Sequence, residues 1–108
     1  MEKYRNERCY PDAQTPMTIL TVSQTSIKVD ILGIIVTNQS STESSFRIAL
    51  RPKGATLELA HYTHKDLKIP DNDVYVWGEG IMALPNDIIE VYSDNGQMSF
   101  NIFYKETT

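Results

Sequence analysis

The two histidines of the chain lie three residues apart, and an aspartate follows them. His61, His64 and Asp66 fall within "AHYTHKD", and imidazole and carboxylate groups are common zinc ligands. Two histidines at such a spacing reach one metal ion when a helix brings both rings to the same face. The metal interpretation therefore depends on whether this segment is helical.

The segment has the pattern of a strand. "TLELAHYTH" reads as one extended run, and no stretch of ten or more residues in the chain shows helical periodicity. Side chains three residues apart on a strand point to opposite faces, so we expect His61 and His64 to diverge and Asp66 to share a face with His64 only. We therefore predict structural roles for both histidines, with no metal site and no cofactor.

Other catalytic chemistry has no better candidates. Cys9 lies in a polar N-terminal segment where nothing holds a base against it, and no serine has the Gly-x-Ser-x-Gly context. The acidic residues are spread over loops and strand faces, and the five glycines mark turns. The sequence predicts no catalytic residues and a protein that is not an enzyme.

Length and charge limit the remaining classes of function. The chain has 108 residues, one cysteine and a net charge of −4, which suits a single domain without an internal disulfide. Its basic residues are scattered, so we expect no nucleic-acid partner. The run "ILGIIV" is too short for a membrane span, and the N-terminal residues lack the charged and apolar regions that are typical of a signal peptide. We expect a soluble protein made in a reducing compartment, with no membrane partner.

Short β-branched and aromatic runs separated by turn residues follow residue 16. Seven or eight such strands with no helices between them predict an all-β fold, an antiparallel β-sandwich of the Ig-like or jelly-roll-like kind. Gly33 marks a phase change that predicts a bulge, "LKIPDND" reads as a connection, and Asp94–Gly96 predicts a hairpin. The apolar halves of the clearest alternating strands form the predicted core: Phe46, Ile48, Leu50, Val91, Met98, Phe100 and Ile102.

The first sixteen residues differ from the rest. They lack apolar periodicity and carry six charged side chains, so we predict an extended N-terminal arm over residues 1–16 and a β-sandwich domain over residues 17–108. Such an arm is expected to be ordered by another subunit, either along a neighbour's sheet edge or across a subunit interface. The predicted partner-binding residues are Tyr4, Arg5, Tyr10 and Pro11.

Four aromatic side chains fall on predicted strands and leave two interpretations open. A row of exposed rings on a sandwich would suit a sugar or a protein partner. Alternatively, the rings close the edges of a small core. The four residues are Tyr62, Tyr75, Trp77 and Tyr92.

Several phrases, in order, resemble a family of small β-sandwich structural proteins of tailed bacteriophages. They are "SIKVDILGIIVTN", "SSFRIALRPKGA", "AHYTHKDLKI", "GIMALPNDIIEVYS" and "MSFNIFYKE". The resemblance covers most of Ser26 to Glu106, and the order of "FRIALRP" and "HYTHKD" is its most specific part. The arm and the bulky "VYVWGEG" depart from the family's pattern.

This resemblance implies a non-enzymatic virion component that needs no cofactor. Its partners would be copies of itself, as a homo-oligomer, and other virion proteins. The implied position is the tail, neck or baseplate of a virion, after synthesis in the cytoplasm of the bacterial host. A capsid decoration (cement) protein and a carbohydrate-binding module on the same fold remain alternatives.

Overall fold

Nine strands make up most of the chain in the computed structural model, which describes residues 1–108. Two 3-10 turns, Pro52–Gly54 and Leu59–His61, separate β4 from β5. The chain has no helix with the length and apolar character to cross a membrane. The strands are β1 (Glu2–Cys9), β2 (Met17–Thr21), β3 (Lys28–Asn38), β4 (Ser44–Arg51), β5 (Tyr62–Ile69), β6 (Val74–Trp77), β7 (Ile81–Ala83), β8 (Ile88–Ser93) and β9 (Met98–Thr107).

The strands form two antiparallel sheets. One has five strands in the order β1-β9-β3-β6, with β7 also paired to β3, and the other has four in the order β2-β8-β4-β5. Apart from β4 and β5, strands that are consecutive in the chain do not pair with each other. The predicted antiparallel β-sandwich is confirmed, with nine strands where seven or eight were expected.

One cluster of apolar side chains fills the space between the sheets. Leu50 is half-buried and packs against this cluster. The alternation of apolar and polar residues along β4, β8 and β9 indicates which face of each strand is buried, because successive side chains on a strand point to opposite faces. The other six predicted core residues are at most 1% exposed: Phe46, Ile48, Val91, Met98, Phe100 and Ile102.

The central strand β3 changes phase at a bulge. Val29 and Ile31 are buried before it, and Ile34 and Val36 are buried after it. The register of β3 against β9 shifts between Ile31 and Gly33. The bulge predicted at Gly33 is confirmed, and it keeps the apolar side chains of both halves in the core.

Several predicted boundaries differ from the structure. In "LKIPDND", Leu67–Ile69 belongs to β5 and pairs with β4, and only residues 70–73 connect β5 to β6. Leu59–His61, which was expected to be extended, is a 3-10 turn. Asp94–Gly96 does not close a hairpin, because β8 and β9 lie in different sheets. Turn residues indicate where the chain bends. They do not indicate whether the strands on either side of the turn pair with each other, which depends on the packing of the whole fold.

The predicted arm contains an edge strand of the sandwich. Strand β1 pairs with β9 along its whole length, from Glu2 opposite Thr107 to Cys9 opposite Phe100. The ordering of this segment by another subunit was expected, but here the chain's own β9 supplies the contacts. Backbone hydrogen bonds need no apolar periodicity, so a polar segment can complete a sheet without a hydrophobic signal.

Candidate assembly interface

The two histidines point in different directions. His61 lies in a 3-10 turn, where its Nδ1 accepts a hydrogen bond from the backbone N–H of Glu58 at 3.1 Å. His64 is buried and is hydrogen-bonded to Thr63 Oγ1 at 2.9 Å and to Tyr75 Oη at 3.1 Å. Nowhere in the structure do three or more His, Cys, Asp or Glu side chains form a group that could hold a metal ion.

Asp66 lies on the outer face of its sheet, which corrects the expectation that it shares a face with His64. The β4–β5 register shifts between Phe46 and Arg47, so Asp66 becomes the extra residue of a bulge, with φ of 55°. Its carboxylate accepts a hydrogen bond from Arg47 Nε at 2.6 Å. This contact lowers the pKa of Asp66.

The four aromatic side chains pack against their own chain. The rings of Tyr75 and Trp77 lie 5.5 and 5.2 Å from the His64 ring. The Arg47 guanidinium covers the ring of Tyr92 at 4.6 Å from its centroid. The rings therefore do not form the open row that sugar binding would need. All four are half-buried: Tyr62, Tyr75, Trp77 and Tyr92.

Burial lowers the pKa of His64, so stability is expected to depend on this residue below neutral pH. The folded protein favours neutral His64, whereas the unfolded chain takes up a proton near its ordinary pKa of about 6.5. Stability is thus retained above that pH and lost as the pH falls through it. An NMR titration should place the midpoint of His64 below about 6.5. Urea unfolding should show that the unmodified protein loses stability between pH 7 and pH 5, and that His64→Gln loses less.

A matched control for this measurement is His61→Gln, which leaves the buried imidazole in place. That variant should show the same loss of stability between pH 7 and pH 5 as the unmodified protein. A midpoint for His64 above about 6.5, or an unchanged loss in His64→Gln, would contradict the assignment.

Strand β1 presents a row of backbone groups that its own sheet leaves free. Met1 and Thr108 exchange two backbone hydrogen bonds, of 2.8 and 2.9 Å. In an antiparallel ladder such pairs alternate with pairs that make no bond to each other. The backbone groups that point away from β9 are therefore those of every second residue: Glu2, Tyr4, Asn6 and Arg8.

A polar cluster fixes β1 against the sandwich on the side that faces the other sheet. Arg5 Nε donates a hydrogen bond to Glu106 at 3.0 Å, and the Ser26 hydroxyl donates to the same carboxylate at 2.7 Å. These two bonds, Ser26 first, lower the pKa of Glu106. Tyr104 Oη donates to Glu7 at 3.3 Å, and burial, followed by the charge of Glu7, raises the pKa of Tyr104 to about 12.

The end of β1 anchors the segment. Cys9 packs against the core, and burial raises the pKa of its thiol to about 11, so it stays protonated at neutral pH.

The segment that follows β1 is held against the end of β8. Gln14 N donates to the Ser93 carbonyl at 2.8 Å. At Gly96, φ is +69° and an added Cβ would lie 2.6 Å from the nitrogen of Ala13. Only glycine accommodates this close approach.

The four predicted partner-binding residues have different surroundings. Tyr4 and Tyr10 are 76% and 51% exposed, so both rings are available to a partner. Arg5 is engaged with its own chain, and Pro11 is buried. The sequence reasoning missed the outward backbone of Glu2, Asn6 and Arg8. The available signal was an eight-residue run without proline or glycine.

Exposed apolar side chains lie on the outer face of the same five-stranded sheet. Val76 and Phe103 are 65% and 40% exposed on strands that flank β3. Exposed apolar side chains on one face of a sheet offer apolar area that contact with another protein would bury. The remaining members are Leu32, Val74 and Met82.

Comparisons with known proteins find a shared fold and no sequence relative. No protein-family model and no curated protein matches the chain. Among solved structures, a chain from the acidic stable capsid structure of Helicobacter pylori bacteriophage KHP30 matches with a TM-score of 0.54 and 7% sequence identity. The match covers 99% of this chain and 87% of that chain. At this identity it establishes a similar sandwich architecture.

Proposed function

We propose that the chain is a non-enzymatic structural subunit of a tailed-bacteriophage virion, which works by non-covalent assembly with other virion proteins. The observation that carries the proposal is the fold match to a chain of a bacteriophage capsid structure, which extends over nearly the whole of this chain. The sequence phrases that resemble phage structural proteins support the same function independently of the fold.

The surface of the sandwich supports an assembly role. The β1 edge offers backbone hydrogen-bonding groups, and the outer face of the same sheet exposes apolar side chains such as Val76 and Phe103. Subunit contacts use both features, because strand addition supplies directional bonds and apolar burial supplies affinity.

Two positions in the virion follow from different observations. The sequence resemblance favours the tail, neck or baseplate, which is our first proposal. The fold comparison is with a capsid structure, and this observation favours a second candidate, a decoration protein on the capsid surface.

Purified virions from bacteria that carry the gene provide the test. Quantitative mass spectrometry should find the chain in multiple copies per particle, and antibody labelling in electron micrographs should place it on the tail or on the capsid. Deleting the gene should give defective or incomplete particles, and supplying the full chain from a plasmid should restore them. Absence of the chain from purified particles would overturn the proposed function.

A further inference from the structure

The free edge of β1 carries a charge pattern that is complementary to itself. Glu2 and Arg8 lie three residues on either side of Arg5, and Lys3 and Glu7 lie two residues on either side. Each of these pairs joins opposite charges. When such a strand meets a second copy of itself in the antiparallel direction, opposite charges face each other across the pair.

We propose that β1 pairs antiparallel with β1 of a second copy of this chain, about a two-fold axis at Arg5. The two five-stranded sheets then continue into one another. Glu2 lies opposite Arg8 of the second copy, Lys3 lies opposite Glu7 of the second copy, and symmetry repeats both contacts. The inference rests on the proposed function, because it names one partner of the assembling subunit.

The free backbone groups select this register. They belong to Glu2, Tyr4, Asn6 and Arg8, and a pairing centred on Arg5 places Glu2 opposite Arg8 and Tyr4 opposite Asn6. All four residues then exchange hydrogen bonds with the second copy. If the register between the two copies were shifted by one residue, the free backbone groups would face residues of the second copy whose N–H and C=O already bond to β9.

The two neighbouring registers that keep the backbone bonds are poorer. Centring the pair on Tyr4 brings Lys3 opposite Arg5, so that like charges meet. Centring it on Asn6 places Glu2 beyond the end of the partner's strand. The register centred on Arg5 therefore uses the most hydrogen bonds and the most opposite-charge contacts.

The side chains that the pairing needs are available. Lys3, Glu7 and Arg8 form no salt bridge within their own chain. Glu2 contacts Lys105 at 3.0 Å with its side chain 59% exposed, which leaves room for a second cation. The two Arg5 side chains meet at the axis, and the carboxylate of Glu106 in each copy balances their charge.

Strand β1 lacks the features that usually protect a sheet edge. It is eight residues long, contains no proline, and pairs with β9 without a bulge. Edge strands that must stay unpaired are typically short, bulged or interrupted by proline. Charged side chains can also protect an edge by repulsion, but in the register centred on Arg5 the charges of Glu2, Lys3, Glu7 and Arg8 each meet an opposite charge of the second copy.

Sedimentation equilibrium of the full chain tests the pairing. The unmodified protein should form a dimer, and Asn6→Pro should raise the dimer dissociation constant by about tenfold or more. Proline at this position removes an N–H that points away from β9, so the monomer keeps its own ladder. The matched control Asn6→Ala keeps the N–H and should dimerise as the unmodified protein does.

Charge exchange tests the register and does not depend on proline. Glu2→Arg alone should weaken the dimer by about tenfold, because Arg8 of the second copy then faces a like charge. Adding Arg8→Glu should restore the affinity. A protein that stays monomeric at about 1 mM, or a dimer that is insensitive to Asn6→Pro and to both charge variants, would overturn the pairing. Failure of the double variant to recover would overturn the register.

These outcomes are separable from those of the virion experiment. A chain that is present in virions but monomeric in solution would overturn the self-pairing and leave the structural role intact. A dimer with the expected charge behaviour, formed by a chain that is absent from virions, would overturn the proposed function alone.

Discussion

Phe100→Ala is expected to lower the free energy of unfolding by about 3 to 5 kcal/mol. Phe100 is fully buried on β9, and its ring packs against that of Phe46 with centroids 6.1 Å apart. Truncation to alanine removes apolar contacts and leaves a cavity between the two sheets. Because both sheets contribute to this contact, the loss should appear in the global unfolding transition in urea.

The matched control is Phe103→Ala on the same strand. Phe103 points to the outer face and is 40% exposed, so its truncation should cost about 1 kcal/mol or less. The two variants differ only in which face of β9 loses a phenyl ring. Equal losses in urea unfolding would mean that the assigned inward and outward faces of β9 are wrong.

Asn38→Ala is expected to lower the free energy of unfolding by about 3 kcal/mol or more, because it removes buried hydrogen bonds. Asn38 is fully buried at the end of β3. Its Nδ2 donates to the carbonyls of Thr42, Ile69 and Pro70 at 2.9, 3.1 and 3.2 Å. Alanine would leave these carbonyls without that donor. It would also leave the groups that donate to Oδ1 without their acceptor.

Those Oδ1 contacts extend the network to another loop. The backbone N–H and hydroxyl of Ser40 donate to Asn38 Oδ1 at 3.1 and 2.8 Å, and Asn95 Nδ2 donates to it at 3.3 Å. Asn38 therefore links the loops that follow β3, β5 and β8. Removing it should loosen all three connections at once.

Asn38→Asp separates the effect of side-chain size from that of the lost donor. Aspartate keeps the size and the acceptor, but at neutral pH its second oxygen faces three carbonyl oxygens. It should therefore destabilise the protein at least as much as Asn38→Ala. Asn101→Ala, which removes a half-buried amide from the outer face of β9, is the control and should cost under about 1 kcal/mol. A stable Asn38→Asp protein in urea unfolding would contradict the network.

The hydrophobic alternation of the clearest strands was sufficient to predict part of the core. Phe46, Val91 and Phe100 were assigned to it from their strands alone, and all three are buried. The change of phase at Gly33 likewise predicted the bulge in β3. These features are local consequences of a strand having two faces, one of which is apolar.

The candidate interface was only partly predictable. Tyr4 and Tyr10 were identified as available side chains, and both are exposed. The free backbone groups of Glu2 and Asn6 could not be identified in advance, since they depend on the pairing of β1 with β9. Asp66 was assigned to the wrong face because its bulge comes from a register shift between two strands, which no single segment reveals.

The sequence by itself determined the class of fold, the buried faces of the main strands and the bulge at Gly33, because these depend on side-chain periodicity within each strand. Only the tertiary structure decided which strands pair. It joined Glu2–Cys9 to the last strand and carried the chain across sheets at Asp94–Gly96. Pairing partners are chosen by backbone hydrogen bonds between segments far apart in the chain, and every residue except proline offers the same N–H and C=O groups.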